Sequence, residues 1–166
     1  MSNHPLAYFI TFTVYGTFLQ GDARWWRSRH KGTRPPQPLL EQWHRDHLKH
    51  EVILLRDEQR LVVAAEINRL CEFRKWKLWI ANPRSNHVHV VVSASGYRAM
   101  QVRDQIKANC TRVLRQQWPV FGDRPVWTVG GSCQLVETED DLHRVIFYAG
   151  EAQDRKDRDQ PPPARR

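Results

Sequence analysis

Trp76-Lys77-Leu78-Trp79-Ile80-Ala81-Asn82-Pro83-Arg84-Ser85-Asn86-His87-Val88-His89-Val90-Val91-Val92 reads as two strands joined by a turn, and this stretch decides the fold. Aromatic and β-branched residues dominate Trp76 to Ile80 and His87 to Val92, as pleated, half-buried segments require. The link from Ala81 to Asn86 is rich in turn formers, which predicts antiparallel pairing of the two strands.

Upstream, Asp57 to Phe73 sets Leu61, Ala64, Ala65, Ile67 and Leu70 at roughly helical spacing, with Asp57 as the candidate N-cap. Leu39 to His50 reads as a short polar helix. Gly21 to Pro38 carries Trp25, Trp26, a series of arginines and lysines, and prolines, so it is read as a long basic loop without regular structure. Leu6 to Val14 is β-branched and aromatic and forms a first strand. Downstream, a helix runs to about Trp118 on the apolar stripe Val102, Ile106, Cys110, Val113 and Leu114. Val126 to Glu137 is a final strand interrupted at Gly130-Gly131, and Glu139 to about Gly150 is a last helix.

With the basic loop and the terminal helix set aside, the order is β-α-β-β-α-β. This is an α+β chain of the ferredoxin-like kind, with both helices on one face of an antiparallel sheet and the other face open for a site. Residues 5–153 form a single domain in which 15–56 are a basic, Trp-containing insertion. The run from Asp154 to Arg166 is charged and proline-rich and is expected to be a disordered tail.

Among the 166 residues, 26 Lys and Arg face 18 Asp and Glu, a net charge of +8 that suits a polyanionic partner. Cys71, Cys110 and Cys133 are widely spaced and never in a Cys-x-x-Cys pair, so they are read as buried thiols rather than a disulfide framework or a zinc site. No run approaches the roughly 18 to 20 apolar residues that a membrane span needs, and Met1 to Ile10 lacks a secretory pattern. A cytoplasmic protein is expected.

In the strand His87-Val88-His89, the two-residue period turns both imidazoles to one face and Val88, Val90 and Val92 to the other. Two nitrogen ligands on one strand are half a metal site, although an isolated His-x-His also occurs on ordinary half-exposed sheets. Here Asn86-His87-Val88-His89 follows a short turn, and the chain resembles the HUH nucleases with one catalytic tyrosine. It looks most like the REP-associated tyrosine transposases and their IS200-like insertion-sequence relatives. A second match is Val126-Trp127-Thr128-Val129-Gly130-Gly131-Ser132, followed by the acidic helix start Glu139-Asp140-Asp141 and by Val145-Ile146-Phe147-Tyr148. Leu142, Val145, Ile146 and Ala149 make the buried stripe of that helix and set Tyr148 about 100° from its centre, at an edge.

The resemblance implies covalent phosphoryl transfer. Tyr148 attacks a phosphodiester of single-stranded DNA and leaves a 5′-phosphotyrosine and a free 3′-hydroxyl, at palindromic repeat hairpins in the REP-associated relatives. It further implies Mg²⁺ or Mn²⁺ at His87 and His89 and no nucleotide cofactor. Relatives carry an amide side chain four residues after the tyrosine, where this chain has Ala152. Glu151 lies about 60° from Tyr148 on a regular helix and Gln153 about 140° away. A break at Gly150 would bring Gln153 round with the ligand type of the relatives, and Gln153 is the preferred third ligand.

Arg24-Trp25-Trp26-Arg27-Ser28-Arg29-His30-Lys31 interleaves cations with aromatic faces, the combination that follows a phosphate backbone and stacks unpaired bases. For either tryptophan, packing in the core is an equally open reading. Arg98, Arg103 and Lys107 offer a second candidate DNA surface. His44, His47 and His50 step by three and drift around a helix, so they do not converge on a metal. Ser132 has no recognisable His and acid partners. The partner is therefore DNA, single-stranded or hairpin, met by a monomer or a homodimer. The alternatives are a domesticated, non-catalytic DNA-binding protein of the same fold, and an RNA- or single-strand-binding protein without nuclease ancestry.

Overall fold

The computed structural model describes residues 4–24, 26–28 and 30–150, without the Arg27 side chain. Trp25, Arg29, Glu151, Ala152, Gln153 and the tail 154–166 lie outside the described residues. The elements in chain order are β1 (Ala7–Thr13), β2 (Trp26–Ser28), β3 (Gly32–Arg34), α1 (Pro38–Asp46), α2 (Asp57–Arg74), β4 (Lys77–Pro83), β5 (His87–Ser93), α3 (Ala99–Gln117), β6 (Ser132–Val136) and α4 (Glu139–Gly150). The fold is α+β.

Four strands form one antiparallel sheet in the order β4-β5-β1-β6, so the chain's first strand lies inside the sheet between β5 and β6. Strand period two then divides the side chains. Tyr8, Ile10, Phe12 and Val14 of β1 and its continuation join Val88, Val90 and Val92 in the main core, beneath Val63, Ile67 and Leu70 of α2 and Val102, Ile106 and Leu114 of α3. Ala7, Phe9 and Val91 face the other way and pack with Leu142, Val145 and Ala149 of α4. The expected open face is thus half covered: α4 caps one end of it, and the other end stays accessible.

The strands around the deciding turn are longer than expected. β4 runs through Asn82 to Pro83, opposite Val88, which leaves only Arg84, Ser85 and Asn86 as the turn. A proline at the end of this edge strand has no ladder hydrogen bond to lose. The β4–β5 register slips between Leu78 and Ile80, which puts Trp79 outside the pairing.

The expected α2 stripe holds at Ile67 and Leu70 and shifts elsewhere: Leu61 is 72% exposed and Ala65 is exposed, whereas Val63 and Cys71 are buried beside Ile67 and Leu70, together with Gln59 and Glu66. Alanines fit either side of a helix, so the larger side chains decide which side is buried, and the two polar residues are accommodated by specific partners. Gln59 Oε1 accepts from the Arg56 backbone N–H at 2.8 Å, so Arg56 is the N-cap residue in place of Asp57. Glu66 bonds Arg69 at 2.6 Å on its own helix and Arg112 of α3 at 3.1 Å, pinning the two helices to each other.

The basic insertion is also more ordered than its composition suggests. Trp26–Ser28 pairs with Gly32–Arg34 in a two-stranded antiparallel ribbon, which corrects the expectation of an irregular loop. Trp26 is buried and donates its indole N–H to the Pro35 carbonyl at 3.0 Å, so tertiary packing overrides the local signal of prolines and charges. No helix among the described residues is long and apolar enough to cross a membrane.

Cys71 and Cys110 are buried among apolar side chains, and Cys133 is half-buried at the edge strand. Burial pushes the Cys71 thiol up to about 11 and raises that of Cys110. A thiol-reactive dye at pH 8 is therefore expected to leave Cys71 and Cys110 unlabelled in the native protein and to label both in denaturant. Ile67→Ala, which empties a fully buried site between α2 and the sheet, is expected to cost about 2 to 5 kcal/mol in denaturant titration.

Candidate functional site

One row of residues crosses the sheet at the end that α4 leaves open. Asn82 of β4 stands opposite His89 of β5, His89 opposite Thr11 of β1, and Thr11 opposite Ser132 of β6. Cross-strand partners share a face, so the four side chains lie side by side. His87 and Thr13 form the next pair outward. On the inner side, Phe9 and Val91 begin the apolar patch under α4.

Both imidazoles are buried and each Nδ1 is engaged. His89 Nδ1 lies 2.8 Å from Thr11 Oγ1, and His87 Nδ1 donates to Asn86 Oδ1 at 2.5 Å. An amide oxygen only accepts, so this contact puts the His87 proton on Nδ1 and the lone pair on Nε2. The two ring centroids are 4.6 Å apart. Paired imidazoles whose Nδ1 atoms are oriented by neighbouring oxygens match the way metal-binding histidines are ordinarily held, so this donor set suits a divalent ion. Among the described residues, no three of His, Cys, Asp and Glu gather to complete such a site, and Glu151 and Gln153 are outside them.

Tyr148 reaches the same place from α4. Its helix is seated by Leu142, Val145 and Ala149, and the tyrosine lies at the edge of that stripe with 37% of its surface exposed. The phenol ring meets Phe9 edge-on at 6.0 Å and stands 5.9 Å from the His89 ring. Gly150 in α4 lies close to β4: a Cβ there would meet Ile80 Cδ1 at 2.9 Å.

On the other side of the histidines a cleft of about 640 Å³ opens, lined by Thr11, Thr13, Thr17, Arg24, Trp26, Asn86, His87, His89 and the 128–133 segment. Arg24 holds Asp22 through Nε at 2.7 Å and Nη2 at 2.6 Å and lies over the Phe18 ring. Burial pushes the Asp22 carboxyl up, but its hydrogen bonds from Arg24 outweigh that and keep it below the usual carboxylate range. The opposite rim is the loop carrying Val129, Gly130 and Gly131, where Gly131 lies 2.8 Å from the Thr11 carbonyl at the point a Cβ would occupy.

Lys107 of α3 builds this rim. Its Nζ donates to the Thr128 and Gly130 carbonyls, both at 2.7 Å, and Arg103 donates to the Gly131 carbonyl at 3.1 Å. Burial lowers the Lys107 pKa below the ordinary lysine value. These two cations of the expected second DNA surface thus bind backbone, while Arg98 sits apart at the start of α3 and Lys31 is exposed at the tip of the β2–β3 ribbon. Thr11, Asn86 and Asn82 escaped sequence reasoning. Only the strand register, which fixes Thr11 and Asn82 opposite His89, could have pointed to two of them. His44, His47 and His50 contact Gln20, Trp43 and Tyr15 respectively and do not converge.

With this geometry in view, comparison with known proteins is informative for the fold. No protein-family profile and no curated protein matches the chain. A transposase candidate from Deinococcus radiodurans R1 superposes with a TM-score of 0.52 at 11% identity, over 87% of this chain and 88% of that one. A REP-associated tyrosine transposase bound to a REP hairpin superposes with a TM-score of 0.50 at 12% identity, over 88% of this chain and 65% of that one. The chain shares the fold of these proteins.

Replacing Lys107 by Met removes two of the three side-chain hydrogen bonds to the rim, leaving that of Arg103, while preserving the aliphatic stem. It is expected to cost about 1 to 3 kcal/mol and to speed amide hydrogen exchange across residues 128–131, with α2 unchanged.

Proposed function

We propose that this protein is a single-tyrosine DNA transposase of the HUH kind, which nicks and rejoins single-stranded DNA through Tyr148. The observation that carries the reading is the meeting of Tyr148 with His89, 5.9 Å between rings, from two elements far apart in the chain. The ferredoxin-like description of the domain is supported by the strand order β4-β5-β1-β6 and by α2 and α3 sharing one face.

In this reaction Tyr148 Oη attacks phosphorus and loses its proton. The bond to the 3′-oxygen breaks, and that oxygen takes up a proton as the free hydroxyl. A 5′-phosphotyrosine remains, and attack by another 3′-hydroxyl reverses the step. His87 and His89 would hold Mg²⁺ or Mn²⁺, with Gln153 as third ligand, and the ion would supply Lewis-acid stabilisation of charge on the phosphoryl oxygens. Thr11 and Asn86 keep the imidazoles turned for that task. Phe9 supports the phenol from the side. Single-stranded or hairpin DNA would enter by the cleft beside Arg24 and Trp26, with Trp25, Arg27, Arg29 and Lys31 as further DNA-binding residues of the basic insertion. Arg103 and Lys107 would add positive potential at the far rim, and Arg98 would do so from the start of α3. The enzyme would act in the cytoplasm as a monomer or homodimer.

The second reading, a non-catalytic DNA-binding protein of the same fold, is favoured by Ala152, which stands where relatives carry an amide. Incubation with a pool of labelled single strands and hairpins in Mn²⁺ or Mg²⁺ separates the two. A protein–DNA adduct on a denaturing gel is expected, absent in Tyr148→Phe and in His87→Ala, with DNA affinity largely kept. An adduct that persists in Tyr148→Phe rules out the assigned nucleophile. Retention of DNA without any adduct favours the binding protein. Thr11→Val, which removes the oxygen beside His89 Nδ1, is expected to weaken Mn²⁺ binding about 10- to 100-fold in calorimetry.

A further inference from the structure

We infer that Asn82 is a positioning residue that fastens the end of α4 to the sheet and thereby fixes the Tyr148 ring beside His89. Its catalytic consequence rests on the proposed role of Tyr148. The fastening itself does not.

Asn82 Nδ2 donates to the Ala149 carbonyl at 2.6 Å. The hydrogen bond joins β4 to α4 one residue past Tyr148. Because it attaches to the residue next to Tyr148, it limits both the axial position and the rotation of the helix where the phenol leaves it.

Three further observations converge on the same point. Asn82 is the register partner of His89, so the donor and the imidazole are fixed to neighbouring strands by backbone hydrogen bonds. Ala149 is fully buried, and Gly150 lies so close to Ile80 that a Cβ would come within 2.9 Å of its Cδ1. The helix end thus meets β4 with a polar contact and a close apolar contact two residues apart on that strand. Apolar packing through Leu142, Val145 and Ala149 could tolerate a small slide or roll of α4, since dispersion contacts are not directional. A hydrogen bond from a short side chain on a strand does not tolerate it. At a reacting centre, displacement of about 1 Å costs on the order of 100-fold in rate.

Asn82→Leu keeps the branched shape and the number of side-chain heavy atoms and removes the donor, and Asn82→Ala is the smaller alternative. In wild-type protein, nuclear Overhauser contacts are expected between the Asn82 side-chain amide and Ala149, and between the Tyr148 ring and the His89 imidazole. In Asn82→Leu the Tyr148–His89 contacts are expected to vanish, and the amides of residues 146–149 to exchange faster, while α2 and α3 keep their protection. At saturating DNA the rate of adduct formation is expected to fall about 100-fold, with the half-saturating DNA concentration unchanged.

Absence of the Asn82–Ala149 contacts in wild type overturns the inference without recourse to any variant. So does an unchanged Tyr148–His89 pattern in either variant, or an undiminished rate after that pattern is lost. If wild-type protein forms no adduct at all, the transposase reading fails, and the resonance contacts still decide whether Asn82 fastens the helix.

Discussion

The register between β1 and β5 is the constraint on which the rest of the structure depends. Backbone hydrogen bonds place Thr11 opposite His89 and Thr13 opposite His87, and the same bonds send Val88, Val90 and Val92 into the main core. A slip of one residue would exchange the two faces, burying both imidazoles beneath α2 and α3 and turning Val88, Val90 and Val92 toward the cleft. The core under α2 and α3 makes that exchange prohibitive, because burying a polar ring without a partner costs several times a typical net hydrogen bond. The site is held in place by the packing on the face it does not use.

The second face of the sheet is divided along the strands. Its apolar half, Ala7, Phe9 and Val91, is closed by α4, and its polar half, Thr11, Thr13, His87 and His89, lines the cleft. The tyrosine sits on the border between the two. His87 and His89 belong to the cleft wall, and the Tyr148 ring stands 5.9 Å from that of His89. Positive charge follows the same division. Lys107 and Arg103 hold the 128–131 rim from inside, whereas Arg24 is presented at the opposite rim through Asp22.

Much of this was legible in the sequence because it follows from period. The alternation of His and Val in β5 gives the faces of the strand, and the stripe Leu142, Val145, Ile146 and Ala149 gives the seat of α4. Where two periods compete, sequence reasoning was only half right: in α2, Ile67 and Leu70 are buried as expected, but Leu61 and the alanines fit the rest of the stripe as well as Val63 and Cys71 do, and only packing selects the latter. The β2–β3 ribbon was illegible for a different reason. Trp26 is buried, hydrogen-bonded to the Pro35 carbonyl across the ribbon and lining the cleft with residues far away in the chain, which no local composition reveals. The proximity of Tyr148 to His89 is also long-range, since it depends on where α4 comes to rest across β4 and β5. Resemblance to a family suggested that meeting; periodicity alone reached only the helix edge. Thr11, Asn82 and Asn86 are ordinary polar residues until the strand register sets them around the imidazoles.

Neighbouring residues of β5 answer to different neighbourhoods although they share one backbone. At positions 88, 90 and 92 the tolerance for change is a matter of volume, since each side chain is enclosed by α2, α3 and β1. At 87 and 89 it is a matter of chemistry, since each side chain has an oxygen partner and borders a cleft. Sequence drift along this strand is therefore separable by parity: even positions record the history of the core, and the two histidine positions record the history of whatever the cleft receives.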